Sequence, residues 1–561
     1  ISWRRGLASK MASAEGLRQR KSGVGGTPAQ SKDVGEPVGT RFGQRAKEVS
    51  FPDGADPLEY FFAQGWTDGL PVVLPTRAKV DRMLAAVVPH GLSPCQVFRA
   101  RVAPYYKEGT IELAAISAVM AGCEVRAFPL VLAAIEAVLE PEFNLHGIGA
   151  TTMGATPTLI VNGEAVKESG VSSSYGCVGS SGNRANITVG RAVKLFCQNV
   201  GGARLGVSEC TTLGAPMKIS CCIAEREEVL SGAWRPLNVQ QGQRPGTGSV
   251  TVAACMCTQL QLSTLDASGP ELLRLLGAQL AQLYMAPAPL ISFAVLVLAP
   301  ETYQLILNAG FTSKEAVAKK ILAEAKKHQL FEWPTMLAYV ARKKGVKAKL
   351  AMHFIAGAAF CLLGRLSRLP HLGLLGALTG SILGATGLGY LLMGVGCLCR
   401  LFGLPIPVPA KIKSPENLMT IVAGGEAGRF AMLMPGFGAA DMNNVTKAVT
   451  KPVLPAVQPG SLQSIGAPDA ILDPTGFMDI ERLKRVPRVS LATGTPRVGL
   501  FDISKGQGRE FLDHLQARLI KEYPNAEVER FIKPTFTKPA PDELREEITK
   551  KCTHVIGVLA D

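Results

Sequence analysis

The sequence has little histidine and lacks the paired cysteines of a zinc site. Only 7 of its 561 residues are histidine, and no two of its 13 cysteines have the CxxC spacing. Structural zinc sites are usually built from such cysteine pairs together with histidines. The composition therefore argues against a structural zinc site, and no metal or bound cofactor is predicted.

The cysteines also lack the even spacing of a secreted disulfide framework. Close pairs are few: Cys221 and Cys222 are adjacent, and two CxC pairs begin at Cys255 and Cys397. Small secreted domains that depend on disulfides are denser and more regular in cysteine. We therefore predict an intracellular, reducing compartment.

No basic stripe of the kind that binds nucleic acid is present, although the formal net charge is +15. Lysine and arginine are concentrated in residues 1–50, and elsewhere they are thinly spread and not interleaved with aromatic residues. Nucleic-acid-binding surfaces combine clustered basic side chains with a recognisable motif or aromatic stacking. Nucleic acid is therefore not predicted as a partner.

Residues 1–50 have no long apolar run, which excludes a secretory signal within them. They are rich in Ser, Gly, Arg and Lys and poor in acids. This composition is typical of an organelle transit peptide and equally of a disordered tail, so both interpretations stand. Because the chain begins with Ile1, we expect it to start inside a longer translated sequence.

Apolar periodicity predicts a large α/β domain over residues 55–345 plus 411–450. It contains helices at Ile111–Ala121 and Pro129–Leu139 and a strand in TPTLIVNGEA, which closes on an Asn-Gly turn. A second run, LMTIVAGGEAGRF, also ends on Gly-Glu-Ala. Either a weak internal repeat or a chance similarity would explain this shared ending.

Two stretches interrupt or follow this domain. Residues 349–404 are apolar and glycine-rich, and the run from His371 to Cys399 has no Lys, Arg, Asp or Glu. That run is long enough to cross a bilayer, so a membrane hairpin and a gene-model artefact are both open. Residues 442–486 carry scattered prolines and glycines and are predicted to be a linker.

Residues 487–561 alternate strand, helix, strand, helix, strand in short units. This alternation predicts a doubly wound parallel sheet, a small Rossmann-like domain. The chemistry of such sheets lies just past the carboxyl ends of their strands. The last predicted strand ends at Asp561 with no helix after it, so we expect an incomplete domain and a truncated chain.

This segment carries a specific sequence pattern. Asp502 follows the first strand, and Lys533–Pro534 follows the second strand. Pro539–Ala540–Pro541 leads into the second helix, and the third strand ends in the sequence VIGVLAD. In these features it resembles the UGSC family of selenoproteins and their cysteine homologues. In that family a strand ending in Ala-Asp or Gly-Asp is followed by Sec-Gly-Ser-Cys or Cys-Gly-Ser-Cys.

The resemblance implies a selenocysteine directly after Asp561, whose UGA codon would be read as a stop. The chain as given would then be inactive. The implied function is a selenol- or thiol-dependent redox or reductive bond-cleaving enzyme. It would act on a small anionic substrate and take electrons from a thiol or thioredoxin-like donor. A non-catalytic binding or scaffold protein and a membrane-tethered redox protein remain alternatives.

The large domain resembles an uncharacterised bacterial family encoded beside UGSC proteins. The matching sequence segments include GWTDGLPVVLPT, AISAVMAGC, LIVNGEA and SSYGCVGSSGNRANITVGRA. The resemblance covers about residues 55–345 and 411–450 and implies a fusion of two cooperating parts.

Candidate site residues cluster in residues 170–206, a Gly/Ser-rich loop that runs into a predicted helix at Asn186–Val200. A helix N-terminus with free backbone N–H groups suits an anion, although a tight turn for close packing explains the same pattern. The substrate-binding candidates in and beyond this stretch are Asn183, Arg184, Asn186, Arg191, Glu426 and Arg429.

Three further residues are candidates for catalysis. Cys177 lies in the Gly-rich loop, where Arg184 and the helix N-terminus are expected to lower the pKa of its thiol. His146 is a candidate general base, and Asp68 in WTDGLP is a candidate acid. Each also has a structural interpretation, as a buried thiol, a hydrogen-bonded loop residue and a turn-forming residue respectively.

Overall fold

The computed structural model describes residues 43–256, 258–262, 267–283, 293–329, 412–438, 448–476 and 490–558, with short gaps within the last three ranges. The helices are α1 (Pro57–Ala63), α2 (Arg77–Leu84), α3 (Ile111–Ala121), α4 (Phe128–Leu139), α5 (Leu145–Ala150), α6 (Glu164–Ser169), α7 (Arg184–Asn199), α8 (Leu237–Gln240), α9 (Gly269–Leu283), α10 (Pro300–Asn308), α11 (Lys314–Gln329), α12 (Gly508–Glu522) and α13 (Asp542–Lys551). The strands are β1 (Thr156–Asn162), β2 (Cys222–Ala224), β3 (Ser249–Cys255), β4 (Gln259–Leu262), β5 (Ala294–Leu298), β6 (Leu418–Val422), β7 (Phe430–Pro435), β8 (Val449–Pro452), β9 (Arg497–Asp502), β10 (Glu527–Ile532) and β11 (His554–Val558). Three-residue 3-10 turns lie at Val88–His90, Val125–Ala127, Pro216–Lys218, Glu227–Val229 and Pro415–Asn417.

Two predictions concern parts of the chain outside these ranges. Residues 1–42 of the proposed tail and all of residues 349–404 lie outside the described residues. Within the described ranges, no helix is both long enough and apolar enough to span a bilayer. The prediction placed the end of the tail too late in the chain, at residue 50. Residues before it already belong to the folded unit, because Glu48 forms a β-bridge with Leu472 and the Gly43 N–H donates to the Cys95 carbonyl.

The strongest helix predictions agree with the structure. Ile111–Ala121 is α3, and Pro129–Leu139 lies within α4. Thr110 caps α3 with its hydroxyl, which accepts from the Leu113 N–H at 3.3 Å, and Gly122 ends the helix in the left-handed conformation. Every residue of both helices is buried, so they are interior helices rather than amphipathic surface helices.

The described chain forms two compact units. The first comprises Ile1–Glu225, Asn238–Cys257 and Met442–Asp561, and the second comprises Arg226–Leu237 and Thr258–Asp441. The predicted large domain, 55–345 plus 411–450, is therefore divided between them. The reason is that the chain leaves the first sheet after β3 and returns to it only at β8.

The sheet of the first unit has the order β2-β1-β3-β8. Strand β1 is parallel to β2 and antiparallel to β3, and β3 is antiparallel to β8. Strand β8 falls within residues 442–486, so this part of the predicted linker belongs to the sheet. The prolines of residues 442–486 led to the wrong prediction for this strand. An edge strand accommodates a proline such as Pro452 without losing an interior hydrogen bond.

The second unit repeats this arrangement. Its sheet has the order β6-β5-β7-β4, with β5 parallel to β6 and antiparallel to β7, and β7 antiparallel to β4. Along the described chain, each unit has a strand, two helices and two further strands in the same order: β1-α6-α7-β2-β3, with the short α8 before β3, and β5-α10-α11-β6-β7. Residues 330–411, between α11 and β6, lie outside the described residues. The two apolar runs that end on Gly-Glu-Ala do not occupy equivalent positions in the two sheets. The first run forms β1, an interior strand, whereas the second forms β6, an edge strand equivalent to β2.

Within the first unit, residues 497–558 form a separate parallel sheet with the order β10-β9-β11. Leu512 and Leu519 of α12 pack with Val498 and Leu500 of β9. Ile548 of α13 packs instead with Phe501 and Phe531. Because successive strand residues point to opposite faces, the two helices cover opposite faces of the sheet.

The α/β class and the doubly wound arrangement are thus confirmed. The Rossmann-like assignment is not confirmed, because the first strand of this domain, β9, lies between the second and third. An order of 2-1-3 is that of the flavodoxin-like sheets, whereas the dinucleotide-binding order begins 3-2-1.

A buried acid in α4 makes a pH-dependent stability prediction. Burial raises the pKa of Glu136 to about 8, although Lys451 opposes the shift. A glutamate in the unfolded chain has a pKa of ~4.3. At pH values between this pKa and that of the folded protein, Glu136 is protonated in the folded state and ionised in the unfolded state. The protonated carboxyl contributes full stability below about pH 4, and this contribution is lost as the pH rises through about 8.

We expect the free energy of unfolding to fall by about 2–4 kcal/mol between pH 4 and pH 8 through this residue. Glu136→Gln, which stays neutral, should remove this part of the pH dependence and be more stable than the wild type at pH 8. Urea unfolding at several pH values measures the difference, with the exposed Glu142→Gln as a matched control. Equal pH profiles for the wild type and Glu136→Gln would contradict the prediction.

Candidate functional site

Asn186 occupies the centre of the Gly/Ser-rich loop and is almost fully buried. Its amide nitrogen donates to the carbonyls of Ser172 at 2.9 Å, Cys177 at 2.9 Å and Cys222 at 3.2 Å. Its amide oxygen accepts from the Ser172 N–H at 2.8 Å. The side chain therefore fastens the loop to α7 and β2, and this structural role uses the donors and the acceptor that were predicted to bind substrate.

The other polar groups at the start of α7 are also engaged within the protein. Asn183 donates to the Tyr175 carbonyl at 2.7 Å. Arg184 donates to the Gly122 carbonyl at 2.9 Å and lies 3.9 Å from the Glu124 carboxylate. The Arg184 side chain is more than half exposed, so it is the member of this group that solvent reaches most easily.

Cys177 does not have the activated thiol that its sequence context suggested. The residue is buried, and burial raises the pKa of its thiol to about 11. The neighbouring Cys221 and Cys123 are buried as well, and burial raises the pKa of their thiols to about 11 and about 12. Since the thiolate is the nucleophile, these cysteines are protonated and unreactive near neutral pH.

Asp68 and Arg191 form a bidentate ion pair with each other. The Arg191 Nε lies 2.7 Å from Asp68 Oδ2, and a terminal nitrogen lies 2.8 Å from Oδ1. Arg191 also donates to the Pro71 carbonyl at 2.9 Å, and Gln198 of the same helix donates to the Thr67 carbonyl at 2.7 Å. Helix α7 thus holds the WTDGLP loop in place. The ion pair brings together two predicted site residues, Asp68 and Arg191, and its role is to stabilise this loop.

His146, a predicted catalytic residue, lines a cavity. This cavity has a volume of about 20 Å³, and Lys194, Cys197 and Glu209 also line it. The imidazole ring stacks on Tyr106 with the ring centroids 5.8 Å apart and the planes at 19°. Tyr106 has a left-handed backbone, with φ 53°, and burial raises the pKa of its phenol while Arg545 opposes the shift.

Three charged residues beside this cavity were missed by the sequence analysis: Lys194, Glu209 and Lys218. Lys194 lies on α7 three residues after Arg191, and the other two follow in the loop toward β2. Lys194 and Glu209 are separated by 15 residues, and nothing in their local sequence indicates a pair. The position of Lys194 within a predicted helix beside a Gly-rich loop was the one available signal.

Glu426 and Arg429 lie in the second unit and each pairs with a charge of that unit. Glu426 forms an ion pair with Arg226. Arg429 donates to Glu301 at 3.1 Å. The Gly428 N–H and Arg429 together lower the pKa of the Glu301 carboxyl. These contacts stabilise the turn between β6 and β7. Among the described residues, no group of three or more His, Cys, Asp or Glu side chains is placed to hold a metal ion.

A second candidate site lies at the carboxyl edge of the C-terminal sheet. Asp502 ends β9, and its Oδ1 accepts from the Ser504 N–H at 2.8 Å. Lys533, which follows β10, donates its N–H to the Asp502 carbonyl at 2.8 Å and accepts from the Ser504 hydroxyl. The strand register places Val558, the last residue of β11, beside Asp502.

The backbone at this edge is specialised. Ser504 has φ 66°, a left-handed conformation that is uncommon for a residue other than glycine. A Cβ atom on Gly508 would lie 2.8 Å from Asp502 Oδ1, so glycine lets α12 begin next to this carboxylate without displacing it. The first turn of α12 and the carboxyl ends of β9, β10 and β11 therefore lie at one edge of the sheet.

These features define a doubly wound parallel α/β domain whose carboxyl edge carries its polar residues, the usual site of chemistry in this class. Residues 470–561 match the model of the UGSC family, which confirms the resemblance of the C-terminal segment. The match is restricted to this segment, so the resemblance of the larger domain is not confirmed. No curated protein and no solved structure matches the chain.

Proposed function

We propose that this protein is a selenol- or thiol-dependent redox or reductive bond-cleaving enzyme that acts on a small anionic substrate. The observation that carries the proposal is the UGSC family match at residues 470–561, together with the sheet edge that it contains. In the UGSC pattern the reactive pair follows directly after the third strand, and β11 ends in register with Asp502.

The geometry of this edge suits a reactive selenol or thiol. Val558 ends β11 beside Asp502, and under this proposal the reactive residue would lie at this same edge, where Ser504 and Lys533 follow β9 and β10 and α12 begins. A helix N-terminus carries a partial positive charge and favours an anion such as a selenolate or thiolate. A second thiol close by in sequence then allows the pair to cycle between reduced and oxidised forms.

The redox step balances with two electrons. A selenol and a thiol become a selenenylsulfide and release two electrons and two protons, which convert R–X into R–H and H–X. A dithiol donor then reduces the selenenylsulfide by exchange and becomes a disulfide. The substrate, the selenol–thiol pair and a dithiol donor are the reactants that the proposal requires.

Sequencing the natural transcript past the Asp561 codon tests the proposal. We expect a UGA or cysteine codon followed by codons for Gly, Ser and Cys. A continuation without that motif would remove the proposed nucleophile and contradict the redox assignment.

A further inference from the structure

The cavity beside His146 has the size of a single small ion. Its volume is about 20 Å³, and one water molecule needs ~10–15 Å³. Lys194 and Glu209 line its polar part together with the His146 ring. Most of the remaining wall is apolar and includes Ala103, Ile148 and Pro157. The volume excludes organic molecules and admits a water molecule or a monatomic ion.

The polar end carries an excess of positive charge. Glu209 lies between two lysines, with its carboxylate 2.5 Å from the Lys218 ammonium group and 3.5 Å from that of Lys194. The nearer lysine, Lys218, offsets the charge of the carboxylate, and Lys194 supplies the excess. All three side chains are at most one-fifth exposed, so solvent screens this excess charge only weakly. One monovalent anion would balance it.

The two lysines differ in their remaining capacity to bind an anion. Lys218 also donates to the Ala155 carbonyl at 3.0 Å and to the Thr211 hydroxyl at 2.8 Å, which together with Glu209 uses its three N–H donors. Among the described residues, Lys194 makes one long contact, with Glu209 at 3.5 Å, and it lines the cavity. Lys194 is thus the ammonium group with donors to offer to an ion in the cavity.

We infer that this cavity binds a monatomic monovalent anion, of which chloride is the common one, beside the Lys194 ammonium group. Chloride is only slightly larger than a water molecule, and it would accept a charge-assisted hydrogen bond from Lys194. The apolar part of the wall suits an ion that is weakly hydrated. A water molecule fits the same volume but leaves the positive charge unbalanced. The inference is independent of the proposed redox reaction, because it involves no residue of the C-terminal sheet.

Thermal unfolding of the full chain in sodium chloride and in sodium gluconate, at the same ionic strength, tests this inference. Gluconate is an anion that is too large for the cavity, so the comparison isolates binding at a small site. With a dissociation constant on the order of 10 mM, about 100 mM chloride should raise the Tm by about 2–4 °C relative to gluconate. Equal Tm values in the two salts would overturn the inference.

A matched pair of variants assigns the chloride effect to this cavity. Lys194→Gln removes the ammonium group and should abolish the difference in Tm between the two salts, whatever its effect on the Tm itself. Lys167→Gln removes an exposed lysine of the same unit and should keep the difference. A folded Lys194→Gln protein that retains the full chloride effect would overturn the inference.

Bromide locates the ion directly and needs no variant. It is slightly larger than chloride and gives a strong anomalous X-ray signal. Crystals of the full chain grown in sodium bromide should show an anomalous peak in the cavity beside the Lys194 ammonium group. A cavity that holds only water in those crystals would overturn the inference. Because neither measurement involves a selenol, both outcomes leave the redox assignment to its own test.

Discussion

Replacing Glu112 with alanine is expected to lower the free energy of unfolding by about 3–5 kcal/mol. The Glu112 side chain is fully buried in α3, and its Oε1 lies 2.6 Å from the Arg77 guanidinium and 2.8 Å from that of Arg45. Its other oxygen accepts from the Ala46 N–H at 2.6 Å. Removal of the carboxylate would leave the buried Arg77 charge without this partner.

Urea unfolding of the full chain measures this effect. Glu142→Ala removes an exposed glutamate and should change the stability by no more than about 0.5 kcal/mol. Glu112→Gln keeps the shape and one acceptor, so it should fall between alanine and the wild type. A loss below about 1 kcal/mol for Glu112→Ala would show that the buried ions are hydrated or paired differently.

Asn186→Asp is expected to destabilise the first unit by about 2–4 kcal/mol, at least as much as Asn186→Ala. The amide nitrogen of Asn186 donates to three carbonyl oxygens. Aspartate would place a second acceptor against those carbonyls, whereas alanine would only leave them unpaired. A substrate-binding role alone would predict normal stability for both variants.

The control is Asn183, the neighbouring residue that shares the same loop. It is only partly buried and donates to one carbonyl, that of Tyr175. Asn183→Asp should therefore cost no more than about 1 kcal/mol. Thermal unfolding of the two aspartate variants compares them directly, and equal losses at Asn183 and Asn186 would contradict the role assigned to Asn186.

The sequence could predict what local patterns encode. The bounds of α3 and the strand–helix alternation of residues 497–558 depend on side chains a few positions apart, and both agree with the structure. The strand order 2-1-3 could not be predicted, because the direction in which each crossover moves along the sheet leaves no mark in the local pattern.

The candidate site was harder to predict, because its residues act through distant partners. Asp68 was expected to act as a catalytic acid and Arg191 to bind substrate, but each is satisfied by the other across 123 residues. Cys177 lies in a sequence typical of an exposed loop, yet the fold buries its thiol. Lys194 and Glu209 carry no motif, so only the folding of the chain around the cavity identifies them.

Alkylation of the native protein tests the central claim, a reactive selenol or thiol that follows β11. The protein from its natural source would be reduced, treated with iodoacetamide at mildly acidic pH and mapped by mass spectrometry. We expect one labelled residue directly after Asp561, with Cys177, Cys123 and Cys221 unlabelled because burial raises the pKa of each thiol far above that pH. Labelling of these buried cysteines, with none after Asp561, would contradict the account.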